Sequence, residues 1–353
     1  MQFFQFNFYP MKKALPLLLA SVALLAHAAL GQNATTTPVG VMTLRVRGKG
    51  ATNANSFISL NLARPTAFQG VVGTKSLVGG QSVITFSSDL FTVDQFNGTG
   101  KNHYAQLTSG SNNGLVSQVV ATTANSITLA DDINDVLTDG TTTFKIVPYW
   151  TLATAFPNGA GLNGGTAPAN ADNVTILPAV GTALVYFYNT TYSQWRRGTT
   201  DSSDVIIPPG SGLLITRKFA GDVSFQITGA VNVGPTEAAV GAGSATGSRN
   251  TVISNPYPVA SVTLATSGLY TGSASTGVVG GTAPAAADNV VIYDPITGVP
   301  SSYFYNTTYS QWRRGTTDSS NVTIPDGVAV MITRKANRGE FSWYIPQPSM
   351  NLN

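Results

Sequence analysis

YFYNTTYSQWRRGTTDSS fills residues 186–203 and, without one difference, residues 303–320. Each copy places an aromatic alternation, Tyr-Phe-Tyr, before a polar Asn-Thr-Thr-Tyr-Ser turn and a second short run, Gln-Trp-Arg-Arg, closed by glycine. Alternation of period two on both sides of a turn is the signature of a hairpin. The stretch therefore predicts β-structure, and its recurrence predicts a duplicated module.

The repeat extends beyond the hairpin. GGTAPANADNVTIL at 164–177 returns as GGTAPAAADNVVIY at 280–293, and Ile215-Thr216-Arg217-Lys218 returns as Ile332-Thr333-Arg334-Lys335. The offsets, 116 and 117, are those of a whole domain, because solenoid repeats run about 20–50 residues. Pro208-Pro209-Gly210 and Pro325-Asp326-Gly327 provide a tight turn before each ITRK strand. Upstream, short runs such as VGVMTLRVRG, SFISLNLA, SVITFSS, HYAQLTSG and TTFKIVPYW are rich in Val, Ile, Thr and aromatics and bounded by Gly, Asn and Ser. The expected class is all-β, an N-terminal β-sandwich or barrel domain over 38–148 followed by two homologous β-sandwich-like modules over 149–250 and 251–353. The Gly/Ala/Ser-rich segment 229–250 lacks a strand pattern and reads as a linker.

Met11-Lys12-Lys13, an apolar run from Ala14 to Leu30 and small residues before Gln32 read as a secretory signal peptide over 1–31. The ten residues before Met11 are then an extension or the product of a mis-assigned start. The chain carries 19 Lys and Arg against 16 Asp and Glu, and without Lys12 and Lys13 the balance is +1, which gives nucleic-acid binding no electrostatic basis. There is no cysteine, hence no disulfide framework, lipid-attachment thiol or thiol chemistry.

The run YAQLTSGSNNG, then NSITLADDINDVLTDGTTTFKIVPYWTLATAF, SNPYPVASVTLATSGL, the paired ADNV and YFYN…QWRRG segments and IPPGSGLLITRK together resemble one group. It is an uncharacterised paralogous family of secreted proteins from Verrucomicrobia-type bacteria. The resemblance covers nearly all of the mature chain. It implies export and an all-β build, and it brings no activity and no functional residues with it.

Chemistry is sparse. Past the leader the one imidazole is His103, expected at a loop-to-strand junction, so neither a Ser/His/Asp set nor a zinc site can be assembled around several bases. Asp172 and Asp288, and Asp201 and Asp318, occupy equivalent repeat positions and read as turn caps or partners of nearby arginines. The acidic loop from Asp131 to Asp139 lacks EF-hand spacing, and calcium binding there stays open. No catalytic residue, metal site or cofactor is assigned.

The concentration of aromatics and cations in the doubled block is what remains. Tyr186, Tyr188, Tyr192, Arg196 and Arg197, with Tyr303, Tyr305, Tyr309, Arg313 and Arg314, are the candidate ligand or matrix contacts. In the plainer reading Phe187 and Trp195 face the core and the Tyr and Arg side chains form cross-strand pairs outside. The expected function is an exported, non-enzymatic structural, adhesive or envelope-associated protein, located in the periplasm, on the outer surface or outside the cell. The alternative is a bivalent carbohydrate-binding protein. Expected partners are a polysaccharide or another cell-surface protein, with no nucleic acid and no membrane span after leader cleavage.

Overall fold

A computed structural model describes residues 38–345 apart from 99, 233 and 256–261. The signal-peptide reading falls outside the described residues. The chain opens with β1 (Val39–Val46), β2 (Ala54–Ser59) and β3 (Leu62–Ala63). Seven strands follow: β4 (Phe68–Val71), β5 (Thr74–Val78), β6 (Gln81–Thr85), β7 (His103–Leu107), β8 (Val116–Thr122), β9 (Ser126–Leu129) and β10 (Thr143–Pro148). Next come β11 (Trp150–Thr151), a short helix α1 (Leu152–Ala155), β12 (Asn173–Ile176), β13 (Leu184–Asn189), β14 (Gln194–Arg197), β15 (Thr200–Asp201), β16 (Ile206–Ile207), β17 (Gly212–Arg217) and β18 (Val223–Val231). The last group is β19 (Thr236–Val240), β20 (Arg249–Ser254), β21 (Val262–Thr263), β22 (Asn289–Tyr293), β23 (Pro300–Asn306), β24 (Gln311–Arg314), β25 (Thr317–Asp318), β26 (Thr323–Ile324), β27 (Ala329–Arg334) and β28 (Phe341–Ile345). The protein is all-β, built from antiparallel sheets.

The duplication is visible strand for strand. One six-stranded sheet runs β15-β14-β13-β12-β17-β2, and the other runs β25-β24-β23-β22-β27-β20 in the same order. Each is covered by a smaller layer, β1-β18-β3 in the first module and β19-β28 in the second. Between sheet and cover lie the two cores. One contains Leu44, Val174, Tyr186, Trp195, Ile215 and Phe225, and the other contains Ala238, Val290, Tyr303, Trp312, Ile332 and Trp343. Leu44 sits opposite Phe225 across the strands, whereas Ala238 sits opposite Trp343. A large-for-small exchange on one strand is matched by the reverse on its neighbour, which keeps the core filled.

These pairings redraw the domains expected at 38–148, 149–250 and 251–353. β1 and β2 belong to the first module, through β18 and β17, and take no part in the seven-stranded sheet β4-β10-β7-β8-β9-β6-β5. The first module is thus residues 39–63 plus 149–231, the second is 236–345, and the seven-stranded domain is inserted between β3 and β11. Its own core gathers Phe91, Phe96, Leu107, Ile127, Phe144 and Ile146. It is fastened to its host by packing of Tyr104 and Val147 against Tyr149, Ala63 and Ile206, while Trp150 Nε1, donating to Leu62 O at 2.7 Å, ties the two host segments that flank the insertion. Local patterning cannot reveal such an insertion, because a strand's partner lies far along the chain and the strands before and after the boundary look alike.

The segment 229–250 is no linker. It completes β18, forms β19 and starts β20. Its small residues answer to close approach: a Cβ on Gly241 would collide with Ala179 O and one on Gly243 with Lys335 O, and Ala238 makes room for Trp343.

The two modules meet across a pseudo-twofold axis. Ser59 N donates to Gly327 O at 3.0 Å and the equivalent Ser254 N donates to Gly210 O at 2.7 Å. Ile58 bridges Val328 as Ile253 bridges Ser211, and the Ser59 and Ser254 hydroxyls are hydrogen-bonded on the axis. Each contact has its mirror in equivalent residues, the mark of an isologous interface. Its apolar filling is Phe57, Leu177 and Leu214 from one side and Val252, Tyr293, Ala329 and Met331 from the other, with Phe57 stacked on Tyr293 at 4.1 Å.

Candidate functional site

Each doubled hairpin is fixed by its own turn. Asn189 Oδ1 accepts from the amides of Thr191 (2.9 Å) and Tyr192 (3.1 Å), and its Nδ2 donates to Thr166 O at 3.2 Å. Asn306 repeats all three bonds with Thr308, Tyr309 and Thr282. Ser193 and Ser310 take left-handed φ values of 51° and 50° to close the loop. The register that follows pairs Tyr188 with Trp195 and Phe187 with Arg196.

That register decides where each candidate goes. Tyr186, Tyr188 and Trp195 share the inner face, and Trp195, 1% exposed, donates from Nε1 to Phe156 O at 3.1 Å. Tyr188 is half-buried, edge-on to Trp195 at 5.8 Å, and Tyr305 stands the same way to Trp312 while also stacking on Tyr270 at 3.5 Å. Phe187 is buried on the opposite face from Trp195, beside Arg196. The expectation that Phe187 and Trp195 share one core fails on register alone, since their strand partners differ by one residue.

The remaining candidates form the outer surface. Tyr192 and Tyr309 are each 62% exposed and carry the Arg196 and Arg313 guanidinium groups over their rings at 4.2 and 4.3 Å. Those arginines also donate to the carbonyls of Thr199 and Thr316, so they are engaged within the hairpin. Arg197 and Arg314 are exposed, and among the described residues neither side chain makes a hydrogen bond or an ion pair.

Beside the first hairpin lies a concavity of about 300 Å³ lined by Tyr186, Arg197, Thr200, Asp201, Ser202 and Val205. Every one of these has an identical counterpart in the second module: Tyr303, Arg314, Thr317, Asp318, Ser319 and Val322. Thr200, Ser202 and Val205 were not among the sequence candidates; the signal that finds them is the identity of the block and its flank together. Burial pushes the Tyr186 hydroxyl above the ordinary tyrosine value, with Arg197 opposing. Bonds from Ser203 hold Asp201 below the usual carboxylate range, and those from Ser320 do the same for Asp318. Two other clefts are smaller. One of about 50 Å³ between the inserted domain and the first module has room for a water or two, and one of about 110 Å³ between the modules is lined by Arg45, Arg47, Asp294 and Asp326.

The repeated Asp172 and Asp288 are structural. Asp288 is fully buried and accepts from Val279 N, Lys335 N, Arg334 Nη1 (2.6 Å) and Arg338 Nη1 (2.7 Å). Asp172 accepts from Asn163 N and Lys218 N. Arg217 Nε lies 2.9 Å from Asp172 Oδ2, near enough for an ion pair but poorly aligned for a hydrogen bond. Each carboxylate is thus occupied by an arginine from the ITRK strand and by backbone amides. In the acidic loop, the Lys75 ammonium donates to Asn134 O at 2.7 Å and Leu137 O at 2.6 Å, so a lysine holds the loop's carbonyls. No cluster of three or more His, Asp or Glu side chains converges among the described residues. His103 is half-buried with Nδ1 facing the Phe96 and Lys101 carbonyls, and burial lowers its pKa, which favours the neutral ring.

No helix among the described residues is long and apolar enough to cross a membrane. No family model, curated protein or solved structure matches the chain.

Proposed function

We propose that this chain is an exported, non-enzymatic protein of adhesive or structural role at the cell envelope, and that its two hairpins offer the same surface twice to a polymeric partner. The observation that carries this reading is where the two modules differ and where they do not. Core positions outside the doubled block differ: Phe225 answers to Trp343, Leu44 to Ala238, Leu213 to Val330 and Phe57 to Val252. Within the block the buried Tyr186, Phe187 and Trp195 are unchanged, and so is every exposed residue. Surface residues without packing duties ordinarily tolerate substitution at almost no cost in stability, so identity at the exposed Arg197, Thr199 and Thr200 points to a demand made by something outside the fold.

The pseudo-twofold supports the same reading, because it holds two copies of one surface in a fixed relation within a single chain. Weak contacts gain in such an arrangement, since the second engagement becomes intramolecular. Co-sedimentation of the purified chain with envelope fragments of producing cells tests the proposal. The adhesive reading expects the chain in the pellet at low salt, released when Arg197→Gln and Arg314→Gln are combined. A chain that stays in the supernatant would refute it.

A further inference from the structure

The concavity beside the hairpin gathers groups with unused bonding capacity that face open space. Arg196 is folded onto Tyr192 and Thr199, but Arg197 on its rim is uncommitted. The Tyr186 ring is locked in the core at 3% exposure, yet its hydroxyl has no hydrogen-bond partner among the described residues and is not sealed from solvent. Asp201 stands on the same wall, a carboxylate with its Oδ1 on Ser203 N at 2.9 Å, with the hydroxyl-bearing Thr200 beside it. Val205, half-buried, supplies apolar surface. A cation, a fixed phenol, an acceptor carboxylate and a hydrocarbon patch thus surround a space at the lower limit of small-ligand pockets.

We propose that this concavity is a subsite for one carboxylated sugar of an acidic polysaccharide, and that Tyr303, Arg314, Thr317, Asp318, Ser319 and Val322 form the same subsite in the second module. The proposal rests on the adhesive reading and names its ligand. A planar guanidinium fork matches a carboxylate in two parallel bonds, and an uncommitted arginine is the residue for that contact. Asp201 accepts from sugar hydroxyls, which an acidic peptide lacks. Its charge also works against a densely sulfated chain, which would bring several anions close to it. The Val205 side chain faces the C–H surface of a pyranose, and the fixed Tyr186 hydroxyl adds a directed bond at little entropic cost. A single exposed arginine–carboxylate contact is worth at most about 1 kcal/mol. Useful retention therefore comes from the two subsites acting on one polymer or on neighbouring ones.

Affinity electrophoresis of the full chain through gels containing polygalacturonate, dextran, dextran sulfate or polyglutamate tests this at low salt. Retardation by polygalacturonate, and none by dextran, is expected. Arg197→Gln or Arg314→Gln alone should weaken it about ten-fold or more, and the pair should abolish it. Tyr186→Phe with Tyr303→Phe removes only two hydroxyls from rings that stay packed, and it should weaken retention while leaving the urea midpoint unchanged. Equal retardation by polyglutamate would overturn the sugar assignment, and stronger retardation by dextran sulfate would overturn the carboxylate. Retention that survives both double variants would place the contact elsewhere and overturn the subsite. Failure with all four polymers by a chain that still pellets with envelope fragments would overturn this inference alone, whereas failure in both assays would overturn the adhesive reading with it.

Discussion

Replacing Asp288 by Asn changes one charge in the interior of the second module and almost nothing of its shape. Asp288 pairs with two guanidinium groups, Arg334 at 0% and Arg338 at 18% side-chain exposure, and caps two backbone amides. The variant leaves Arg334 charged and buried, although its other donors keep the carbonyls of Gly277, Ala274 and Gly339. Removing one partner of a fully buried pair costs about 3–5 kcal/mol, a large part of the about 5–15 kcal/mol that holds a domain together. The equivalent Asp172→Asn also strands a buried guanidinium, Arg217 at 2% side-chain exposure, but one rather than two, so it should fall at the lower end of the same range. Urea unfolding followed by tryptophan fluorescence gives the order. Hydrogen exchange across residues 277–341 assigns the loss to the second module, a step needed because a chain of several domains need not unfold in one transition. An Asp288→Asn chain no less stable than the Asp172→Asn chain would refute the reasoning.

Other expectations follow from the same packing. Trp195→Ala and Trp312→Ala should each cost about 3–5 kcal/mol through lost burial and a residual cavity, as both rings are 1–2% exposed; a loss under about 1 kcal/mol in denaturant titration would contradict their place in the core. Gly212→Leu drives a side chain into Ala329 and within 2.6 Å of Val252 Cγ1 before it extends, so the modules should part and small-angle scattering should record a larger radius of gyration; an unchanged radius with unchanged stability would remove the pseudo-twofold interface. Burial pushes the Tyr104 and Tyr149 hydroxyls well above the ordinary value of 10.0. Their folded values exceed the unfolded one, so the stability they contribute is complete below pH 10 and is lost as pH rises beyond it; ultraviolet titration should show two tyrosines ionising only with unfolding, and Tyr104→Phe with Tyr149→Phe should flatten the alkaline loss.

The hairpin at 186–203 was legible because its period-two aromatics and its turn lie within one short window, and the duplication because the repeat is nearly verbatim there. The edges of the modules were not legible. β2 and β20 occupy the same place in their sheets, yet ANSFIS and RNTVIS agree only at Asn, Ile and Ser, too short a match to stand out, and β2 is separated from its partner β17 by the whole inserted domain. Composition misled at 229–250, where Gly and Ala mark crowding by Trp343, Ala179 and Lys335 rather than a free linker. At the site, charge and aromaticity single out Tyr192 and Arg196, which are stacked on each other within the hairpin. The difference between an engaged Arg196 and an uncommitted Arg197 depends on which face of β14 each occupies, and that is fixed by a register set at Asn189.

The central claim is that one surface is presented twice, and the number of equivalent sites tests it most directly. Equilibrium binding of galacturonic acid to the full chain, a single sugar that fills one subsite at a time and gains nothing from avidity, should titrate two equal weak sites, and Arg314→Gln should leave one with its affinity unchanged. One site in the native chain, or two that differ in affinity by more than about ten-fold, would contradict the account.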